Sequence, residues 1–256
     1  MVVDEATSLK RLRSYNAFMG LLHLGQSVAI FALSNSFTMP ITASFLTFDA
    51  ATQTLRGVPE TLIDVRLGPL VAIFLLISAI AHFCLSTFGY KWYVENLKKK
   101  INFARWYEYA LSSSVMIVII GMLSGVYDIA ALMAIFALNA CMNLFGLMME
   151  LHNQTTQKIN WTAYIYGCFA GLVPWIAIAY YFFGSLSRSV GVPTFVYTIL
   201  PTLFVFFFTF AINMVLQYKK VGPWKNYLFG EQVYVILSLT AKTALAWQVF
   251  AGTLVR

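Results

Sequence analysis

The chain is 256 residues long, 60% hydrophobic and only 11% charged, whereas a soluble domain carries roughly 25% charged residues. That balance excludes a water-soluble globular domain and points to an integral membrane protein. The net charge of +7 does not call for nucleic acid, because the basic residues gather at the ends of apolar runs, where they anchor spans at a membrane surface.

The opening segment MVVDEATSLKRLRSYN is not read as a cleaved signal peptide. Its basic cluster runs into a full-length apolar span with no small-residue cleavage site. Runs able to cross a bilayer, ~20 residues at ~1.5 Å each, lie at about 12–36, 67–89, 102–125, 127–150, 160–184, 192–218 and 230–254. The expected fold is an all-α membrane protein, a seven-transmembrane-helix bundle forming one domain over 1–256. Five of the six connections are short. The exception is 37–66, where SFLTF and TQTLRGV flank a short polar turn and predict a small β-hairpin over one mouth of the bundle.

Orientation is read from the basic residues. Eleven lie on the side of the N-terminus: Lys10, Arg11, Arg13, Lys91, Lys98, Lys99, Lys100, Lys158, Lys219, Lys220 and Lys225. Four lie on the other side: Arg56, Arg66, Arg188 and Arg256. The expectation is a multi-pass protein of the cell membrane with its N-terminus cytoplasmic and its C-terminus extracellular.

Lys242 is out of place in the last span. A lysine at that depth costs ~3 kcal/mol on translocon scales, and both helix ends are too far for its ammonium to reach water. Two roles fit. It has a buried partner on another helix, or its amine is bonded to a carbonyl ligand as a Schiff base. Ser238 lies one turn before it on the same face.

Glu108 lies ~10 Å into the third span. It is either a carboxylate near the headgroups, solvated or paired with Arg105, or the counterion of Lys242. At an effective dielectric of ~20, two charges ~4 Å apart attract by about 4 kcal/mol. In the second reading Arg105 orients Glu108 or closes off the cytoplasm. His23 and His82 reach similar depths from spans one and two, with Gln26 and Ser78 one turn from them. They are satisfied core groups or proton acceptors.

Glu150 and Asp128 mark the two ends of span four, the first either solvated or working and the second a helix-start or interface residue. No candidate metal ligands have i, i+4 spacing, so no metal is expected. Cys84, Cys141 and Cys168 fall within spans and supply no disulfide framework. Tyr109, Trp175, Phe206, Phe207 and Trp247 sit well inside their spans. Pro174 and Pro201 open room between helices, and Gly146, one turn from Met142, leaves space for a flat ligand.

RWYEYA in span three, MNLFGLMMELHNQ at the end of span four and SLTAK in span seven, together with an inside N-terminus, resemble the heliorhodopsins over essentially the whole chain. The resemblance implies a rhodopsin-like bundle with all-trans retinal bound covalently to Lys242 and Glu108 as its counterion. Ser238 would hydrogen-bond near the Schiff base. His23, His82, Gln26, Ser78 and Arg105 would line a cytoplasmic-side polar network, and Tyr109, Met142, Gly146, Phe206 and Phe207 would flank the chromophore. It further implies a homodimer in membrane lipid, an unidentified cytoplasmic signalling partner, and a non-enzymatic sensory role with a slow photocycle. The residues themselves argue against pumping, since span three has no second carboxylate beyond Glu108 and the polar groups lie on one side of Lys242 only. A light-driven or light-gated ion transporter and a retinal-free transporter are the rival readings.

Overall fold

The computed structural model describes residues 5–190 and 194–255. The first four residues, the beginning of the sixth expected span at 192–193, and Arg256 lie outside the described residues. In chain order the elements are α1 (Glu5–Leu33), β1 (Thr38–Asp49), β2 (Thr54–Arg66), α2 (Leu67–Ser86), α3 (Tyr90–Lys98), α4 (Phe103–Leu123), α5 (Ile129–His152), α6 (Thr162–Leu186), α7 (Thr194–Tyr218) and α8 (Tyr227–Val249). A short 3-10 turn, Gly222–Lys225, precedes α8, and a π turn, Phe250–Leu254, comes after it. Among the described residues seven helices, all but α3, contain a stretch long and apolar enough to cross a membrane.

The expected spans match these helices with shifted ends. The first helix begins at Glu5 rather than near 12, because the intervening residues are adequate helix formers with no proline or glycine among them. The last helix begins at Tyr227 rather than 230, since the Asn226 side chain caps it by accepting from Leu228 N–H at 3.0 Å. The link after the second span, expected as a plain connector, contains α3. Its Tyr93 and Leu97, four residues apart on one face, are buried beside Leu9, Leu12 and Leu228.

The hairpin is longer than SFLTF and TQTLRGV alone would make it. Twelve residues of β1 pair antiparallel with β2, and nearly the whole 37–66 loop is strand. The register slips between Ile41 and Thr42, which face Ile63 and Thr61 and leave Leu62 as a bulge. Asp49 Oδ1 accepts Ala51 N–H at 2.9 Å to shape the turn. The base of the hairpin is tied to three other segments. Thr42 N–H donates to Tyr127 O at 2.9 Å and Leu67 N–H to Phe37 O at 3.1 Å. Nearby, Asn35 Nδ2 donates to Thr253 O at 3.2 Å.

Below this cap the bundle is apolar. Val71, Phe74 and Leu75 of α2, Ile117 and Ile119 of α4, and Leu245 and Ala246 of α8 are fully buried in one cluster. Asp128 fills the helix-start role expected of it, accepting from Ala130 N–H at 3.0 Å and Ala131 N–H at 3.1 Å at the head of α5. Asp128→Ala should therefore cost about 1 kcal/mol. That lowers the melting temperature of detergent-solubilised protein by roughly 2–4 °C, which a thermal unfolding scan will read.

Candidate functional site

Lys242 and Glu108 meet inside the bundle. Lys242 Nζ donates to Glu108 Oε1 at 2.8 Å and to Ser238 Oγ at 2.9 Å. The lysine side chain is 3% exposed and the glutamate side chain 9%. Ser238 is in reach because it lies one turn earlier on α8. Ser78 of α2 donates to the same Glu108 oxygen at 2.6 Å, so it sits directly on the carboxylate rather than beside His82. The Tyr109 ring lies 5.2 Å from Nζ. One oxygen of Glu108 thus receives an ammonium and a hydroxyl at once.

His23 and His82 come together across α1 and α2. Their rings stack with centroids 5.5 Å apart and planes within 8°. His82 Nδ1 lies 2.8 Å from Asn16 Oδ1. The Asn16 amide nitrogen already donates to Leu12 O, so that His82 nitrogen carries the proton. His23 is fully buried, and neither of its ring nitrogens has a hydrogen-bond partner among the described residues. Gln26 does not join them. Its Oε1 accepts from the Trp247 indole at 3.1 Å, on the exposed outer seam between α1 and α8. Three residues along a helix turn the side chain ~60° away from the position of His23, and that is enough to leave the cluster. Trp247, expected inside its span, is itself 37% exposed.

Arg105 neither orients Glu108 nor pairs with it. Its guanidinium forms ion pairs with Glu231 and Glu150, all three buried. It also lies 3.9 Å from the Tyr234 ring centre and 4.4 Å from that of Trp106. Asn102 holds both acids, donating from Nδ2 to Glu231 at 2.6 Å and from its backbone N–H to Glu150 at 2.9 Å. Trp106 Nε1 donates to Glu150 at 2.8 Å. Glu150 is therefore a buried ion-pair member and not a solvated helix end. Arg105 still lines a small cavity of about 30 Å³ together with Glu108, His82, Asn16 and Glu231. Tyr109 bridges the two charge clusters, its hydroxyl donating to Tyr234 O at 2.9 Å.

An apolar cavity begins at Lys242. One lobe, about 50 Å³, is lined by Lys242, Ser238, Tyr109, Met142 and Phe207 among others. A second, about 90 Å³, shares Tyr109, Met142, Asn143, Phe207 and Phe210 with it and reaches Gly146 and Cys168. Of the expected pocket residues, Tyr109, Met142, Gly146 and Phe207 line these lobes. Phe206 does not. The inward stripe of α7 carries Leu203, Phe207, Phe210 and Met214, spaced three to four residues apart, and Phe206 falls to one side of it. The space beside Gly146 holds the Trp106 ring, against which any side chain at 146 would collide. Trp175 packs edge-on against Phe204 and Phe207 instead.

Several residues that the structure brings to this region do not stand out from sequence. Glu231 opens the last span and reads there as a headgroup-level acid. Asn139 and Asn143, four apart in an apolar helix, carry a legible signal as a polar pair on one face. Asn143 lines both lobes. Asn139 Nδ2 donates to Ser113 Oγ at 2.7 Å and Asn143 Nδ2 to the same oxygen at 3.0 Å. Asn16 and Phe210 complete the set.

The family model described as Heliorhodopsin matches residues 12–254. None of the curated proteins compared with the chain matches it.

The buried ion cluster carries two carboxylates for one guanidinium, so its members are unequal. Glu231→Gln leaves one balanced pair, whereas Arg105→Gln leaves two buried carboxylates facing each other. Removing one member of a buried pair costs ~3–5 kcal/mol. Arg105→Gln should therefore lower the melting temperature well below that of Glu231→Gln, with wild type above both, as measured by thermal denaturation in detergent.

Proposed function

The chain belongs to the heliorhodopsin family, and from that premise we propose that it is a photoreceptor in which Lys242 carries all-trans retinal and Glu108 is the counterion. As a member it is a multi-pass membrane protein and a retinal-binding rhodopsin. The observation that carries the finer reading is the 2.8 Å contact between Lys242 Nζ and Glu108, made at the mouth of an aromatic-walled apolar cavity. The residues fit the group: a buried primary amine, one carboxylate to hold positive charge on it, and flat side chains along the path leading from it.

Lys242 would hold retinal through its amine, and the bound group would supply a light-driven isomerisation beside Glu108. The surrounding side chains determine the response. Glu108, held by Ser78, keeps positive charge on Nζ in the dark, and Ser238 restrains the lysine one turn away. A turn of the N–H at Nζ would weaken its pair with Glu108. His23, whose ring nitrogens have no hydrogen-bond partner among the described residues, and His82 beside it would be the acceptors for a proton given up at Nζ. Tyr109, bonded to the Tyr234 backbone, relays the displacement to the Arg105 cluster.

The charged side chains buried among the described residues are Arg105, Glu150, Glu231 and Lys242. The other half of the bundle is the apolar cluster under the hairpin. A relay on both sides of Nζ is needed for vectorial transport, and this distribution favours a sensory output without pumping. On the same reading the N-terminus is cytoplasmic, a signalling partner binds that face, and a second copy of the chain lies alongside in the membrane.

Lys242→Ala should abolish visible absorption after addition of all-trans retinal, and hydroxylamine should bleach the wild type under light. A variant that keeps its colour would remove Lys242 from this role. Glu108→Gln should shift absorption to longer wavelength, because the negative charge no longer stabilises the dark state; an identical spectrum would exclude Glu108 as counterion. A C-terminal tag on intact cells should be labelled without permeabilisation.

A further inference from the structure

At the end of the bundle where α1 begins, a cavity of about 260 Å³ opens between the end of α3, the α5–α6 loop and the α7–α8 connection. It is the roomiest of the cavities described, and a single water needs only ~10–15 Å³ of such space. Lys100, Lys220 and Lys225 line it, and no carboxylate does. None of the three ammonium groups has an ion pair or side-chain hydrogen bond among the described residues.

The backbone singles out two of these lysines. Lys100 and Lys220 hold φ of 58° and 53°, left-handed values at helix ends that favour glycine or asparagine. A lysine in that conformation is strained.

The other walls carry no charge: neutral polar side chains (Asn153, Gln154, Thr156, Gln157 and Gln217) and Ile159 share them with three aromatic residues. Tyr218, Trp224 and Tyr227 present their rings, while their polar ends turn into the protein. The Tyr218 hydroxyl donates to Met149 O at 3.1 Å and Trp224 Nε1 to Asn213 Oδ1 at 2.6 Å. The Tyr227 hydroxyl faces Glu150 at 3.5 Å. The cavity therefore combines aromatic and neutral polar walls with three exposed lysines that no carboxylate in the lining offsets. Single carboxylates need one such partner. Three ammonium groups around one space match an anion with several charged oxygens, for which lysine acts as a point-charge ligand.

We propose that this cavity is a binding site for a phosphate-bearing anion, either a lipid headgroup or a soluble phosphate compound. The assignment rests on the functional reading above only in naming the cytoplasm as the source of the ligand.

Titration calorimetry tests it, using the full-length retinal-loaded protein in neutral detergent and inorganic pyrophosphate at constant ionic strength. Saturable one-to-one binding is expected. Lys220→Gln combined with Lys225→Gln should weaken it by about tenfold or more, and Lys→Arg at both positions should retain it. Arg56→Gln with Arg66→Gln, which removes the same charge from the opposite end, should leave the affinity as it was. In nanodiscs, competition by phosphatidic acid but not phosphatidylcholine would identify a lipid headgroup, and undiminished pyrophosphate binding would identify a soluble ligand. No saturable binding, or binding that responds equally to both pairs of substitutions, overturns the proposal. Calorimetry does not need colour, so a colourless protein that still binds pyrophosphate would count against the Lys242 reading alone.

Discussion

An ammonium and a carboxylate held 2.8 Å apart in an apolar bundle impose conditions on everything near them. Neither charge can be left alone at that depth, so α4 and α8 must bring Glu108 and Lys242 to the same level. The remaining lone pairs and N–H groups must also be met: Ser78 donates to the carboxylate and Ser238 accepts from the ammonium. The site is a set of hydroxyls arranged around one ion pair, with an apolar cavity on one side and a histidine pair on the other.

Much of this is legible in the residues. A lysine in mid-span needs a partner, and the third span offers a single acid. The seven helices are implied by apolar length, and the hairpin by strand-forming residues around a polar turn. What stays hidden depends on direction around a helix axis. Arg105 is three residues from Glu108 and could have faced it, but buried Glu231 and Glu150 draw it away with two carboxylates and an Asn102 clamp. Gln26 lies three residues from His23 and reads as its neighbour. The intervening ~60° puts it against Trp247. Gly146 is indeed a position where a side chain is missing for a flat group, but the occupant is the indole of its own neighbour Trp106. Periodicity gives a face to within a residue or so; which of two neighbours an arginine chooses is settled by tertiary packing.

The second ion cluster gives the first a route outward. Tyr109 touches both, lying beside Lys242 with its ring and bonding Tyr234 with its hydroxyl. Tyr234 stacks on Arg105, and Glu150 meets Tyr227 at the wall of the lysine-lined cavity. Each link is a contact between groups that cannot lose their partners cheaply in a low-dielectric interior. A change in the position of Nζ therefore has a contiguous set of packed and hydrogen-bonded groups through which to reach the far surface.

The hairpin braces one end of the bundle. Its base is laced to the α4–α5 turn, to the head of α2 and, through Asn35, to the residues after α8. A barrel hooped at one rim splays at the other. If the helices tilt as the proposed photoreceptor role requires, the end opposite the hairpin, where the connections are loops and one short helix, is the one these ties do not brace.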